Sequence, residues 1–225
     1  GNFHGVFLLA GIPAILGILV LIFGIREAKK SKEQLLSKFR FRDFSKKYYL
    51  FLGIIFLFTL GNSTDALLMV KANEVGIKVV YIPLVYLIMN TVSVILAIPL
   101  GTLSDKIGKE KLLAFGYLIY ALVYAGFGAT NSISVIMCLF ALYGLYSAAT
   151  DGIQKALISD LLDANKKGTG LGIYNALLGV TLLPASIIAG LLYDHINSSV
   201  PFYFGAFTAI LSAILMVAFH KCFKS

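Results

Sequence analysis

Seven long apolar runs, parted by short polar links, dominate the chain: Val6 to Ile25, Tyr48 to Val70, Val79 to Leu100, Leu112 to Ala129, Ile133 to Ile158, Leu171 to Leu192 and Phe202 to Phe219. Each is close to the roughly 20 residues that a helix needs to cross the about 30 Å hydrocarbon layer of a bilayer. No run alternates apolar and polar positions with the period of a strand, so the pattern predicts seven transmembrane helices and not a barrel. The fold class read from it is an all-α membrane protein. Glycines and charges gather in the links, above all in the compact stretch Gly101 to Leu113 and in the long stretch Arg26 to Lys47.

Composition agrees: 59% of residues are hydrophobic and only 13% are charged, far from the balance of a soluble domain. The net charge of +8 raises nucleic acid as a partner until its placement is considered. When the links are assigned to alternate sides of a membrane, the link from Arg26 to Lys47 holds nine Lys or Arg, Lys106 to Lys111 three, Lys155 to Lys167 three and the tail two; only Lys71 and Lys78 fall on the other side. Basic links mark the cytoplasmic face, so the second span is expected to run outward from Lys47 to Lys71, with the C-terminus cytoplasmic. The charge then needs no nucleic acid. Cys138 and Cys222 lie on different predicted helices and are read as free thiols, with no metal or disulfide spacing. The first run has no basic leader before it and is expected to be a span, not a cleaved signal. A chain that opens on Gly1 just ahead of a span is expected to be a piece of a longer protein.

The link from Arg26 to Lys47 sets Leu35, Leu36, Phe39 and Phe44 among its basic residues. That pattern suits a short helix lying in the membrane interface or a linker held near anionic lipid. One span precedes it and six follow as two sets of three, which run in opposite senses through the membrane as in inverted-repeat transporters.

Residues in the compact link carry a resemblance. Gly101, Leu103, Asp105, Gly108 and Lys109 fit G-x-L-x-D-x-x-G-[RK], the loop signature of the major facilitator superfamily, found between its helices 2 and 3 and again between 8 and 9. The second copy fits here. Leu60-Gly-Asn-Ser-Thr-Asp65-Ala-Leu, Gln154-Lys-Ala-Leu-Ile-Ser-Asp160-Leu and Lys167-Gly-Thr-Gly-Leu-Gly-Ile-Tyr-Asn175 resemble one bacterial branch of multispanning permeases. The resemblance implies that residues 1–25 are the equivalent of helix 6, that 26–47 form a basic cytoplasmic linker between domains, and that 48–225 form a C-terminal six-helix bundle of three-plus-three inverted-repeat type. Glu110 stands where the family usually has a second basic residue, with Lys111 one position later. The family's loop is held to latch one conformation by bridging two halves, which would make Asp105 and Lys109 biases on an inward–outward equilibrium. Without the family, two glycines permit a tight reversal and Asp105 can accept hydrogen bonds at a nearby helix start; a plain turn is the alternative.

Ionisable groups at membrane depth are costly and usually face protein or water. Asp65 and Asp151 qualify. Asp65 shares a helical face with Asn62, and it follows Gly61 to Thr64, so it either carries an ion or caps a break in its helix. Asp151 belongs to a polar stripe of Tyr143, Ser147, Thr150 and Gln154, spaced four, three and four residues apart; it either carries an ion or is neutralised by Lys155 at i+4. A proton or sodium ion is the natural cargo of such a carboxylate. Asn90 and Ser93 share a face with Tyr86, and Asn175 lies early in the sixth span, placed for hydrogen bonds to substrate or between helices. Pro184 is expected to kink that span, while Gly168, Gly170, Gly172 and Gly179 permit close helix contact.

No catalytic set emerges. His4, His195 and His220 stand at span ends outside any metal-binding arrangement, and Asp65 and Asp151 are expected towards opposite membrane faces, too far apart for a dyad. No metal, cofactor or enzymatic activity is expected. A nontransporting receptor or assembly subunit is the other class. The reading favoured is a secondary active transporter of a small solute, in a bacterial inner membrane, working by alternating access with substrate held between this half and an N-terminal half on the same or another chain.

Overall fold

The computed structural model describes residues 44–62 and 65–223. The expected first span, Val6 to Ile25, and the linker up to residue 43 lie outside the described residues. Every element among the described residues is helical: α1 (Lys46–Gly61), α2 (Ala66–Glu74), one 3-10 turn (Val79–Tyr81), α3 (Ile82–Ile107), α4 (Lys109–Ala129), α5 (Ile133–Asp160), α6 (Lys167–His195) and α7 (Val200–Phe223). Six stretches are long and apolar enough to cross a membrane: α1 with α2, the 3-10 turn with α3, and each of α4 to α7. They coincide with the last six predicted spans, though most run several residues further.

The second predicted span is two helices. The hydroxyl of Ser45 caps α1, accepting from the Tyr48 amide at 3.3 Å, and α1 stops at Gly61 after 16 residues, a rise of about 24 Å. Gly61 and Asn62 are poor helix formers, and Asn62 leaves helical geometry at φ -90° and ψ 78°, so α1 ends there and α2 begins at Ala66. Across the membrane that break falls in the half away from Lys46. Phe44, expected in the interfacial linker, is buried in the bundle and stacks on Tyr48 with ring centroids 4.9 Å apart.

The compact link is also not the loop expected. Helix α3 runs through Gly101, Asp105 and on to Ile107, and the reversal is made by Gly108 alone, at φ 100° and ψ 135°, before α4 starts at Lys109. A glycine inside a helix costs only about 1 kcal/mol, too little to end one, so Gly101 does not break α3. A 26-residue helix rises about 39 Å, more than the hydrocarbon layer, so its last turns project beyond it.

Helix α4 is the hub: 67% of its most apolar stretch is buried, against 11% for α3 and 17% for α6. It packs on α5 and α7, α3 packs on α5, and α1 lies against α6 and α7. Small residues set the crossings, as membrane helices require. Gly61 meets Gly205 and Thr208 of α7 with no space for a Cβ, and Gly144 lies against the Met89 backbone of α3. Rings fill the interior: Phe58 stacks on Tyr117 at 4.2 Å, Tyr120 on Tyr124 at 4.0 Å, and Phe202 on Phe127 at 5.9 Å. Helix α6 continues without interruption through Pro184. Of its four glycines named above only Gly170 is in close contact, with Leu162 and Phe44, and its carbonyl accepts from the Tyr48 hydroxyl at 2.8 Å.

Candidate functional site

A cavity of about 290 Å³ opens where the break after α1 faces α5 and α6; it is lined by Phe58, Thr59, Asn62, Asp65, Tyr143, Tyr146, Asp151, Gln154, Tyr174, Leu178 and Leu182. The i, i+3 and i+4 spacing of α5 brings its polar stripe to this wall, and the break brings Asn62 and Asp65 to meet it. Both acids predicted from their cost therefore line one cavity. They are expected far apart; the break in the second predicted span and the length of α5 put both within reach of the same space. Among the described contacts no hydrogen bond joins the two carboxylates.

The two acids are held differently. Asp65 occupies the N-cap position of α2 but makes no side-chain cap hydrogen bond. Its carboxylate instead accepts from two phenols on other helices, Tyr143 at 2.8 Å and Tyr86 at 2.9 Å. Asp151 accepts from Ser147 at 2.6 Å and, weakly, from Thr150 at 3.5 Å, both on its own helix. The Thr150 hydroxyl also lies 3.0 Å from the Tyr146 carbonyl, which competes for its single proton. The neutralising pair of Asp151 with Lys155 is not formed among the described ion pairs.

Amide groups fix the surrounding rings. Asn62 donates to the Tyr146 hydroxyl at 3.2 Å, and its oxygen lies 3.3 Å from the Tyr120 hydroxyl, which also reaches the Gly61 carbonyl freed by the break. Gln154, buried, donates to the Tyr117 hydroxyl at 3.3 Å and accepts from Tyr174 at 2.7 Å. Each buried polar atom in this chain of contacts has a partner, as a low-dielectric interior demands.

A second groove, of about 280 Å³, lies towards the α3–α4 turn and includes Ser93, Gly101, Asp105, Lys109, Ser147 and Asp151 in its lining. Asp151 thus faces both spaces. At the turn the Lys109 ammonium donates to Asp160 of α5 at 2.6 Å and lies 3.6 Å from Asp105. Asp105 was expected to receive backbone amides; its observed partner is Lys109, one helical turn on, across Gly108. Glu110, the departure from the family signature, sits with its carboxylate 3.6 Å from His220 of α7.

Other expected site residues are placed elsewhere. Asn90 is exposed and donates to the Tyr86 carbonyl of its own helix at 2.8 Å. Asn175 is exposed and stands outside the cavity lining. Thr150 is buried between α4 and α5, against Gly116, and serves packing. Ser93 bonds Ser147 at 3.2 Å, tying α3 to α5 as interhelical glue. Sequence reasoning missed Tyr146 and Tyr174 in the wall, Tyr120 behind it and Asp160 at the turn. For the tyrosines the signal was their number, 12, in a chain without tryptophan. Cys138 and Cys222 are free thiols, as read.

Six membrane-capable helices, with a cavity that two carboxylates line between α1, α5 and α6, fit a membrane transporter. The sequence profile of the Major Facilitator Superfamily matches residues 1–181 and, in a second alignment, 70–221, and the chain belongs to that family of multi-pass integral membrane transporters. It is 33% identical over 222 residues to the uncharacterized MFS-type transporter MJ1317 of Methanocaldococcus jannaschii, covering 96% of this chain and 56% of that protein. It is 30% identical over 131 residues to the class H tetracycline resistance protein of Pasteurella multocida, 58% of this chain and 32% of that one. Against the quinolone resistance protein NorA of Staphylococcus aureus it is 25% identical over 126 residues, 56% and 32% of the two chains. The chain spans about half the length, or less, of these relatives.

Proposed function

We propose that this chain is the C-terminal half of a secondary active transporter that moves a small organic solute by alternating access. Residues 1–25 are its helix 6, 26–43 the cytoplasmic linker, shorter than the expected 26–47 because Phe44 is buried in the bundle and α1 starts at Lys46, and the rest two inverted sets of three spans, with the C-terminus cytoplasmic. Substrate binds between the Asp65–Asp151 cavity and the N-terminal half. The observation that carries this reading is two carboxylates lining one cavity at membrane depth without a basic residue among its lining side chains. A structural ion pair would need its cation in place; a carboxylate that loads and unloads a proton or sodium ion needs the place kept open. The bareness of α3 and α6 fits the same scheme, since a second half would cover those faces. At the cytoplasmic end Lys109, between Asp105 and Asp160, ties α4 to the ends of α3 and α5 within this half; a latch to the other half works by exchanging partners with these contacts as the halves rock. Relatives named for tetracycline and quinolone resistance support organic solutes as cargo.

The test uses the full-length protein in vesicles. A solute found to raise its thermal stability is expected to accumulate only under an imposed proton or sodium gradient. A solute that binds but does not move, or that moves at the same rate without a gradient, overturns the reading.

A further inference from the structure

The cavity's wall is specific in its chemistry. Phe58, Tyr143, Tyr146 and Tyr174 supply four rings, Leu178 and Leu182 an aliphatic side, and Asp65 and Asp151 the only charges. The phenols are tied down: that of Tyr143 donates to Asp65, that of Tyr174 to Gln154, and that of Tyr146 accepts from Asn62. Ring carbon is thus a large part of the wall beside Thr59, Asn62 and Gln154, with Tyr146 packed on Tyr143 at a centroid separation of 5.1 Å and on Phe58 at 5.8 Å. Ring faces carry negative electrostatic potential and attract cations; an aliphatic wall offers nothing to a hydrated ion. A hard metal ion takes six or more oxygens, and no group of three metal-binding side chains exists among the described residues.

The two carboxylates are not equivalent hosts. Asp65 has a full-strength phenol on each oxygen. Asp151 has one strong donor, on Oδ2, and a shared hydroxyl at 3.5 Å on Oδ1, leaving acceptor capacity unused. Asp151 is also exposed and faces both spaces. From this geometry we infer that the cavity binds an organic cation with an aromatic or aliphatic body, its charge against Asp151 and its body among Phe58, Tyr146, Tyr174 and Leu178. Asp65 is a positioning residue that holds Tyr143 and Tyr86 in place. The inference rests on reading the cavity as the carrier's binding site and adds the class of ligand.

A matched pair of probes separates charge from shape. Tetraphenylphosphonium and tetraphenylborate have the same size and outline and opposite charge, and each is titrated into the detergent-solubilised full-length protein with thermal stability as the readout. The cation is expected to stabilise saturably and the anion not to. Asp151→Asn is expected to weaken the cation's affinity about thirtyfold, the scale of removing one partner of a desolvated charge pair. Tyr146→Leu is expected to weaken it about fivefold while Tyr146→Phe, which keeps the ring, restores it. Equal or tighter binding of the borate, or an Asp151→Asn affinity unchanged from the parent, overturns the inference; the probe pair decides on the unmutated protein even if a variant fails to fold. A cation that binds as described but is never transported leaves the inference standing and removes the carrier reading. A protein that transports another solute yet ignores the phosphonium does the reverse.

Discussion

Asp65 and Asp151 are the same side chain in the same cavity, yet one is tied across three elements and the other hangs on its own helix. Asp65 receives Tyr86 from α3 and Tyr143 from α5 while itself sitting at the break after α1. Asp151 receives only Ser147 and Thr150, four residues and one residue earlier in α5. A carboxylate whose donors come from other helices stabilises their arrangement and cannot change partner without moving them. One whose donors travel with it can exchange a proton, an ion or a ligand and leave the fold undisturbed. On the proposed reading the two acids divide the work: Asp65 holds Tyr86 and Tyr143 of two other helices, and Asp151 serves what enters the cavity.

The sharpest way to break this comparison is to remove each charge and read transport. In full-length protein, Asp151→Asn is expected to lower gradient-driven accumulation about tenfold or more, with little change in thermal stability. Asp65→Asn is expected to do the opposite first, lowering stability before any effect on the ion dependence of transport. Equal behaviour of the two variants would collapse the distinction. Next in size, Tyr143→Phe removes a half-buried hydrogen bond to a carboxylate and is expected to cost about 2 kcal/mol in reversible unfolding. Tyr86→Phe, on the exposed side of the same carboxylate, is expected to cost less than half as much. A reversed order would show that Asp65 is held mainly from α3. The smallest effect on stability is expected from Lys109→Met. Asp105 and Asp160 are solvent-exposed partners, so the loss is under about 1 kcal/mol, but the inward–outward balance should shift. Unchanged accessibility from the two sides of the membrane would make the turn a plain turn.

Much of this was legible in the order of residues. The cost of a charge in a bilayer singled out both acids, and the three-and-four spacing placed Tyr143 and Gln154 on one wall with Asp151. The break was legible too, because Gly61-Asn62-Ser-Thr-Asp65 gathers poor helix formers. Less legible was what the break does to depth: Asp65 lines the same cavity as Asp151, which counting residues along an unbroken helix does not show. Tyr146 and Tyr174 escaped notice because a tyrosine within an apolar run reads as core, and only its neighbours decide whether the ring faces a cavity. Gly101 was read as part of a reversal because glycine permits one; the helix passed through it because nothing nearby required a turn until Gly108, where φ is positive. Asn90 is singled out by sharing a face with Tyr86 and Ser93, and Asn175 by lying early in its span, and neither placement fixes which side of a helix will be covered.

The central claim is that the Asp65–Asp151 cavity opens to one side of the membrane at a time. In full-length protein with every native cysteine, the exposed Cys138 and Cys222 among them, replaced by serine, Leu178→Cys places a single thiol in the cavity wall. Its reaction with a membrane-impermeant maleimide is then followed from each face. Alternating access predicts reciprocal rates: substrate, an ion gradient or Lys109→Met raises reactivity from one side as it lowers it from the other. Reaction from one side alone, or from both sides with rates that rise and fall together, would contradict it.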